Sequence, residues 1–160
     1  MAVEDRAALE ALIAADVRAL TAQSDQIGHA FAARHGLSDN DFRALLHVMV
    51  AETSGDPLAA GGLRARMGMS GAAITYLVER MIASGHVLRE PDPGDRRRVK
   101  LRVAEHGLAV AGEFFAPLAE HLNRALTDVP DADLQAAHRV FSAVVDAMGA
   151  FRTDLRVTPE

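Results

Sequence analysis

Residues Leu63–Val103 read LRARMGMSGAAITYLVERMIASGHVLREPDPGDRRRVKLRV. A short helix over 62–67 is expected to stop at Gly68. Ser70 then caps a second helix, since its hydroxyl can satisfy a free first-turn amide. Ile74, Leu77, Val78, Met81 and Ile82 form one apolar face of that helix, and Gly85 ends it as a C-cap glycine. Val87-Leu88 and Val99–Val103 read as short strands, with Val99, Leu101 and Val103 alternating. The Pro91–Gly94 turn joins them into a hairpin carrying Asp95, Arg96, Arg97 and Arg98.

Two helices at a tight turn followed by a basic hairpin outline a winged helix-turn-helix, a module suited to duplex DNA. The charge distribution agrees. Arg64–Arg102 holds 9 Arg or Lys against 4 Asp or Glu, a net of +5, in a chain whose formal net charge is −5. An acidic protein with one concentrated basic segment presents that segment to a polyanion.

Outward from this core the chain is helical. Leu9, Leu12, Ile13, Val17, Leu20, Ile27 and Phe31 recur at helical spacing over 5–34, with a kink expected at Thr21–Ser24 or Gly28 and a stop at Gly36. Ser38-x-x-Asp41 fits a capping box, and Phe42, Leu45, Leu46, Met49 and Val50 make the buried stripe of the helix it opens. After Gly107 a helix spans 108–126 and includes Pro117. Val129-Pro130-Asp131 restarts a last one, striped by Leu134, Ala137, Val140, Phe141, Val144, Val145 and Met148. The expected fold is mainly α with a small β-hairpin wing. A winged helix-turn-helix domain (37–104) lies between an N-terminal helical dimerisation segment (1–36) and C-terminal dimerisation helices (105–152), with a flexible tail (153–160). The terminal stripes have little else to cover them, so a homodimer is expected. A monomeric helical bundle is the alternative.

On the second helix the aliphatic face turns Gly71, Ala72, Thr75 and Tyr76 outward beside Ser70. Small residues at the tip let the backbone approach DNA, and free amides there can grip phosphate. Thr75 can meet a thymine methyl. Tyr76 reads either as a contact or as a packed rim residue. Arg80 reads either as a contact or as the partner of Glu79 or another nearby acid. A run like Arg96–Arg98 is usually a solvated face, but on a hairpin beside a helix-turn-helix it can enter the minor groove. Asp95 would hold an arginine in its reaching geometry.

Leu63-x-x-x-Met67-Gly68-Met69-Ser70, Ile74-Thr75-x-Leu77-Val78-x-Arg80-Met81, Gly85-x-Val87, Arg89-x-Pro91-Asp92-Pro93-x-Asp95-Arg96-Arg97 and Val103-x-x-x-Gly107-Leu108 resemble the MarR family of winged-helix regulators. The helical layout before and after fits as well. The resemblance implies an obligate dimer with intertwined terminal helices on a pseudo-palindromic operator. It further implies a repressor released by a small, often aromatic or phenolic, effector. It pairs Asp95 with Arg97, the minor-groove finger. The chain departs from the family pattern at Ala59 and Ala104, where capping Thr or Ser is common. It also departs at Gly62, where Glu is common, and at Tyr76, where a basic residue is frequent. The family's effector pocket points by position to His29, Phe31, His35, Phe42, His47 and Met49. Each also has a packing or surface role open to it, and 4% aromatic content argues against an elaborate stacking cage.

With 0 Cys there are no disulfides and no thiolate sites. The 7 His show no HxH, HxxxH or HExxH spacing, so neither metal nor cofactor is expected. Ser24-Asp25, Ser54 and Ser84-Gly85-His86 lack any elbow or triad context, so no enzyme is expected. No apolar run reaches ~18 residues, and Met-Ala-Val-Glu-Asp lacks a leader pattern, so a cytoplasmic location is expected. Two alternatives stay open: a DNA-binding regulator without a ligand, and a protein-interaction module that has lost operator binding.

Overall fold

The computed structural model describes residues 3–92, 94–95 and 98–157. Among these, six helices and one hairpin follow in the order α1 (Val3–Arg34), α2 (Asp39–Thr53), α3 (Ala60–Met67), α4 (Gly71–Ala83), β1 (Val87–Pro91), β2 (Val99–Val103), α5 (Glu105–Leu126) and α6 (Asp131–Val157). The chain divides into two compact units, one up to Phe114 and one from Phe115 onward.

In the first unit the core gathers Phe31 and Ala32 from α1 with Ala44, Leu45, Val48 and Ala51 from α2. Leu63 of α3, the Ile74, Leu77, Val78 and Met81 face of α4, and Val87, Leu101 and Val103 of the hairpin complete it. Of the stripe expected on α2, Leu45 is buried, whereas Leu46 and Val50 are exposed. The strands pair antiparallel, from Val87 opposite Val103 to Pro91 opposite Val99. Pro91, expected in the turn, is therefore the last residue of β1. Proline at a strand end costs no ladder bond that the sheet needs.

The unit also takes in the first turns of α5, which starts at Glu105 rather than 108. Gly107 explains the earlier start. A Cβ there would stand 2.5 Å from the His86 carbonyl oxygen, so glycine lets α5 seat against the chain entering β1. Gly28 has a similar reason to be glycine: a Cβ would collide with the Phe42 ring. The kink considered there does not interrupt α1, which is helical throughout Val3–Arg34. Close approach of α1 and α2 is what this glycine permits.

Leu9, Leu12 and Leu20 of α1 are exposed. In the second unit, Val140, Phe141, Val145, Met148, Phe151 and Leu155 of α6 are all exposed and recur at helical spacing. α6 runs to Val157, several residues into the expected loose tail. Phe151 and Leu155 continue its apolar stripe, and no glycine or proline intervenes after Gly149 until Pro159.

Candidate nucleic-acid interface

The site rests on local capping. Ser70, in extended geometry, accepts a hydrogen bond from the Ala73 amide at 3.2 Å and opens α4. Gly71, Ala72, Thr75 and Tyr76 are exposed on its outward side, and Tyr76 keeps 68% of its surface. Thr75 donates its hydroxyl to the Gly71 carbonyl at 3.0 Å. Ahead of this helix, Ala59 is the N-cap residue of α3 and supplies no side-chain cap. Gly62 packs on Leu58, where a Cβ would come within 3.1 Å of a methyl. Gly68, at φ 65°, makes the left-handed turn between the two helices.

The hairpin is anchored at its base. The Leu101 amide donates to the Leu58 carbonyl at 2.6 Å, and the Val103 amide donates to Glu52 Oε2 at 3.1 Å. At the tip, the Asp92 side chain accepts from the Gly94 amide at 2.8 Å in an Asx turn. The Arg98 amide closes onto the Asp95 carbonyl at 2.8 Å. Arg98 Nε lies 3.7 Å from Asp95 Oδ2, and both side chains are largely exposed. Arg96 and Arg97, the expected reaching cations, lie outside the described residues.

The remaining cations of the segment are less available than the charge run suggests. Arg89 pairs with Glu79 at 2.7 Å. Lys100, only 18% exposed, lies between Asp56 (3.6 Å) and Asp92 (3.8 Å). Arg102 bonds Glu90 at 2.9 Å and reaches Glu52 at 3.4 Å. Arg80 is held too, but not by its neighbour Glu79. Its Nη2 donates to Asp41 Oδ1 and lies 3.4 Å from Ser38 Oγ, while its Cζ stands 5.3 Å from the centre of the Tyr76 ring. The ion pair read as one role for Arg80 is formed, with Asp41 as its acid.

Asp41 is the residue that sequence reasoning underrated. It is 3% exposed, and the capping box it forms is complete. Oδ2 accepts the Ser38 amide at 2.9 Å and the Ser38 hydroxyl at 2.8 Å, while Oδ1 takes Arg80. Burial works to raise its pKa, but the hydrogen bonds from Arg80 and Ser38 and the guanidinium charge prevail and hold it below the usual value.

The six candidate effector residues are only partly brought together. Phe31 is fully buried and meets His35 (4.6 Å between ring centres), Phe42 (5.4 Å) and, edge-on, Phe114 (5.1 Å). Three of the six phenylalanines thus pack into one cluster with His35. His29 lies on the exposed flank with Nδ1 2.7 Å from Asp39. His47 and Met49 are half-buried along α2.

The sequence reading named Ser84-Gly85-His86 and His35 but did not bring them together with His106. His86 is buried, with Nδ1 2.8 Å from Ser84 Oγ and its ring 5.1 Å from that of His106. Burial first, then the nearby His106 and His35, lower its pKa. No spacing rule connects positions 35, 86 and 106. Among the described residues, no group of three or more His, Cys, Asp or Glu is arranged to hold a metal ion.

An outward-facing helix in a two-helix corner, flanked by an anchored basic hairpin, defines a winged helix-turn-helix. Residues 35–98 match the MarR family. It is 30% identical over 92 residues to the uncharacterized HTH-type transcriptional regulator YcgE of Bacillus subtilis (strain 168). That match covers 58% of this chain and 60% of the relative, so it spans less than two thirds of the relative's length. The fold is similar to a point mutant of MepR from a multidrug-resistant S. aureus clinical isolate (TM-score 0.67, 10% identity, 85% of this chain and 96% of that one). It is also similar to a MarR family protein from Bacillus stearothermophilus (TM-score 0.59, 23% identity, 93% and 99%). A third similar structure is an S. aureus MepR–DNA complex (TM-score 0.52, 11% identity, 82% and 96%).

Proposed function

We propose that this protein is a sequence-specific duplex-DNA-binding transcriptional regulator, working as a homodimer in the cytoplasm and acting as a repressor released by a small effector. The observation that carries DNA binding is the exposed face of α4. Ser70, Gly71, Ala72, Thr75 and Tyr76 stand clear of the core beside a hairpin fixed at its base by Leu58 and Glu52. In this reading those α4 residues enter the major groove, and Arg96, Arg97 and Arg98 of the wing meet the backbone and minor groove, with Asp95 orienting them. The S. aureus MepR–DNA complex, a similar fold, supports it.

The dimer is supported by the exposed apolar stripes of α1 and of α6. Removal of roughly 25 cal/mol per Å² of apolar surface from water favours their burial against a second copy. Two heads would then read two half-sites of a pseudo-palindromic operator. Effector release is supported by the likeness of residues 35–98 to the MarR family and by the cluster of Phe31, Phe42 and His35, to which an aromatic ligand could add a ring.

One observation favours a second reading, a protein-interaction module. Arg80, Arg89, Lys100 and Arg102 all sit in ion pairs, so much of the segment's positive charge is balanced internally. Selection from a pool of genomic fragments separates the two. Recovery of a defined duplex supports the regulator, and recovery of none supports the interaction module.

A further inference from the structure

We propose that Arg80 is a positioning residue: clamped by Asp41 to the start of α2, it fixes the Tyr76 ring and so sets the base preference of α4, without contacting phosphate itself. This rests on the DNA-reading function above.

Three observations lead there. Asp41 spends both carboxylate oxygens inside the protein, one on Ser38 and one on Arg80, and is buried in doing so. A guanidinium bound this way is tied to a fixed point on a different helix, 39 positions away in sequence. Arg80 also lies over the Tyr76 ring one turn earlier in α4, an i,i+4 pair in cation–π contact. Tyr76 is otherwise 68% exposed, so the Arg80 contact bears on a side chain with little packing to fix it. The chain of contacts runs from the α2 capping box through Arg80 to the most exposed large side chain on the reading face. Arg80 therefore limits the directions from which Tyr76 can approach a base edge.

A phosphate-contacting arginine predicts something different. Each phosphate contact contributes about −0.9 to the slope of log K against log salt, and its loss weakens all sequences alike. A positioning arginine leaves that slope in place and changes the ranking of sequences.

The test begins with the duplex that the wild-type protein recovers from a random pool, together with its single-base variants. Binding of wild type, Arg80→Gln, Arg80→Lys, Asp41→Asn and the Arg80→Gln/Asp41→Asn double variant is measured over a salt series, with thermal melts confirming each fold. We expect Arg80→Gln to keep the salt slope and to lose about tenfold in discrimination at the bases facing Tyr76, within the span of one good base contact. Asp41→Asn should reproduce that loss, and the double variant should be no worse than either single one. Arg80→Lys should not rescue, because an ammonium lacks the planar fork and the stacking face.

The proposal is overturned if Arg80→Gln lowers the slope by about one and leaves the ranking intact. Rescue by Arg80→Lys, or uniformly tighter binding by Asp41→Asn, would also overturn it by showing a phosphate ligand. Full discrimination retained in Arg80→Gln overturns this inference alone. A wild-type protein that recovers no preferred duplex overturns the DNA-reading function, and this inference with it.

Discussion

The carboxylate of Glu52, near the end of α2, accepts the backbone amide of Val103 at 3.1 Å. One side chain thus ties the helix that faces the aromatic cluster to the strand that carries the wing. Arg102 Nη1 reaches the same carboxylate at 3.4 Å. Glu52→Ala leaves the Val103 amide without its partner and is expected to cost about 1 kcal/mol, since Glu52 is only half-buried. Glu52→Gln keeps an acceptor and should cost less. Urea unfolding of the three proteins checks the order. Equal stability of wild type and the alanine variant would show the anchor to be idle.

Glycine substitutions in α5 should diverge in sign. Gly107→Ala drives a methyl against the His86 carbonyl and should destabilise by about 1–3 kcal/mol. Gly112→Ala meets nothing within 4 Å and should stabilise by about 0.5–1 kcal/mol, as alanine does in an open helix interior. Melting temperatures of both variants test the pair together.

His86 makes stability depend on pH. Its folded pKa lies below the ordinary value of 6.5, chiefly through burial and then through His106 and His35, with Asp41 pulling the other way. The unfolded chain therefore binds more protons than the native state between the two values. The contribution is complete above about 6.5 and is lost as pH falls from there through the folded pKa. The urea midpoint should drop more steeply between about pH 7.5 and 5.5 in wild type than in His86→Gln. Parallel profiles would remove His86 as the cause.

The α6 stripe predicts the oligomeric state. Wild type should sediment at twice 17.1 kDa, and the Phe141→Asp/Val145→Asp variant should shift to a single 17.1 kDa chain. A wild-type monomer would contradict the dimer.

What the sequence disclosed follows from range. The Ser38–Asp41 box and the Ser70 cap were legible because each is closed within three residues, and the α4 face because its period is local. The Asp41–Arg80 pair was not, since capping and charge rules both look to near neighbours, and Glu79 was the nearer acid. Still longer separations in sequence hid Glu52 from Val103 and His86 from His35. Lys100 and Arg102 read as part of a basic run because composition does not register the carboxylates that folding places beside them. The glycine at position 28 looked like a helix flaw. Its partner, Phe42, lies on the next helix.

The central claim is that the wing arginines and the α4 face read duplex DNA. The most direct test is fluorescence anisotropy on the duplex recovered by selection and on a scrambled duplex, over a salt series, with wild type and Arg97→Ala. The account predicts tight, salt-dependent wild-type binding to the selected duplex, with that preference lost in Arg97→Ala. Equal wild-type affinity for the selected and scrambled duplexes at moderate salt would contradict it.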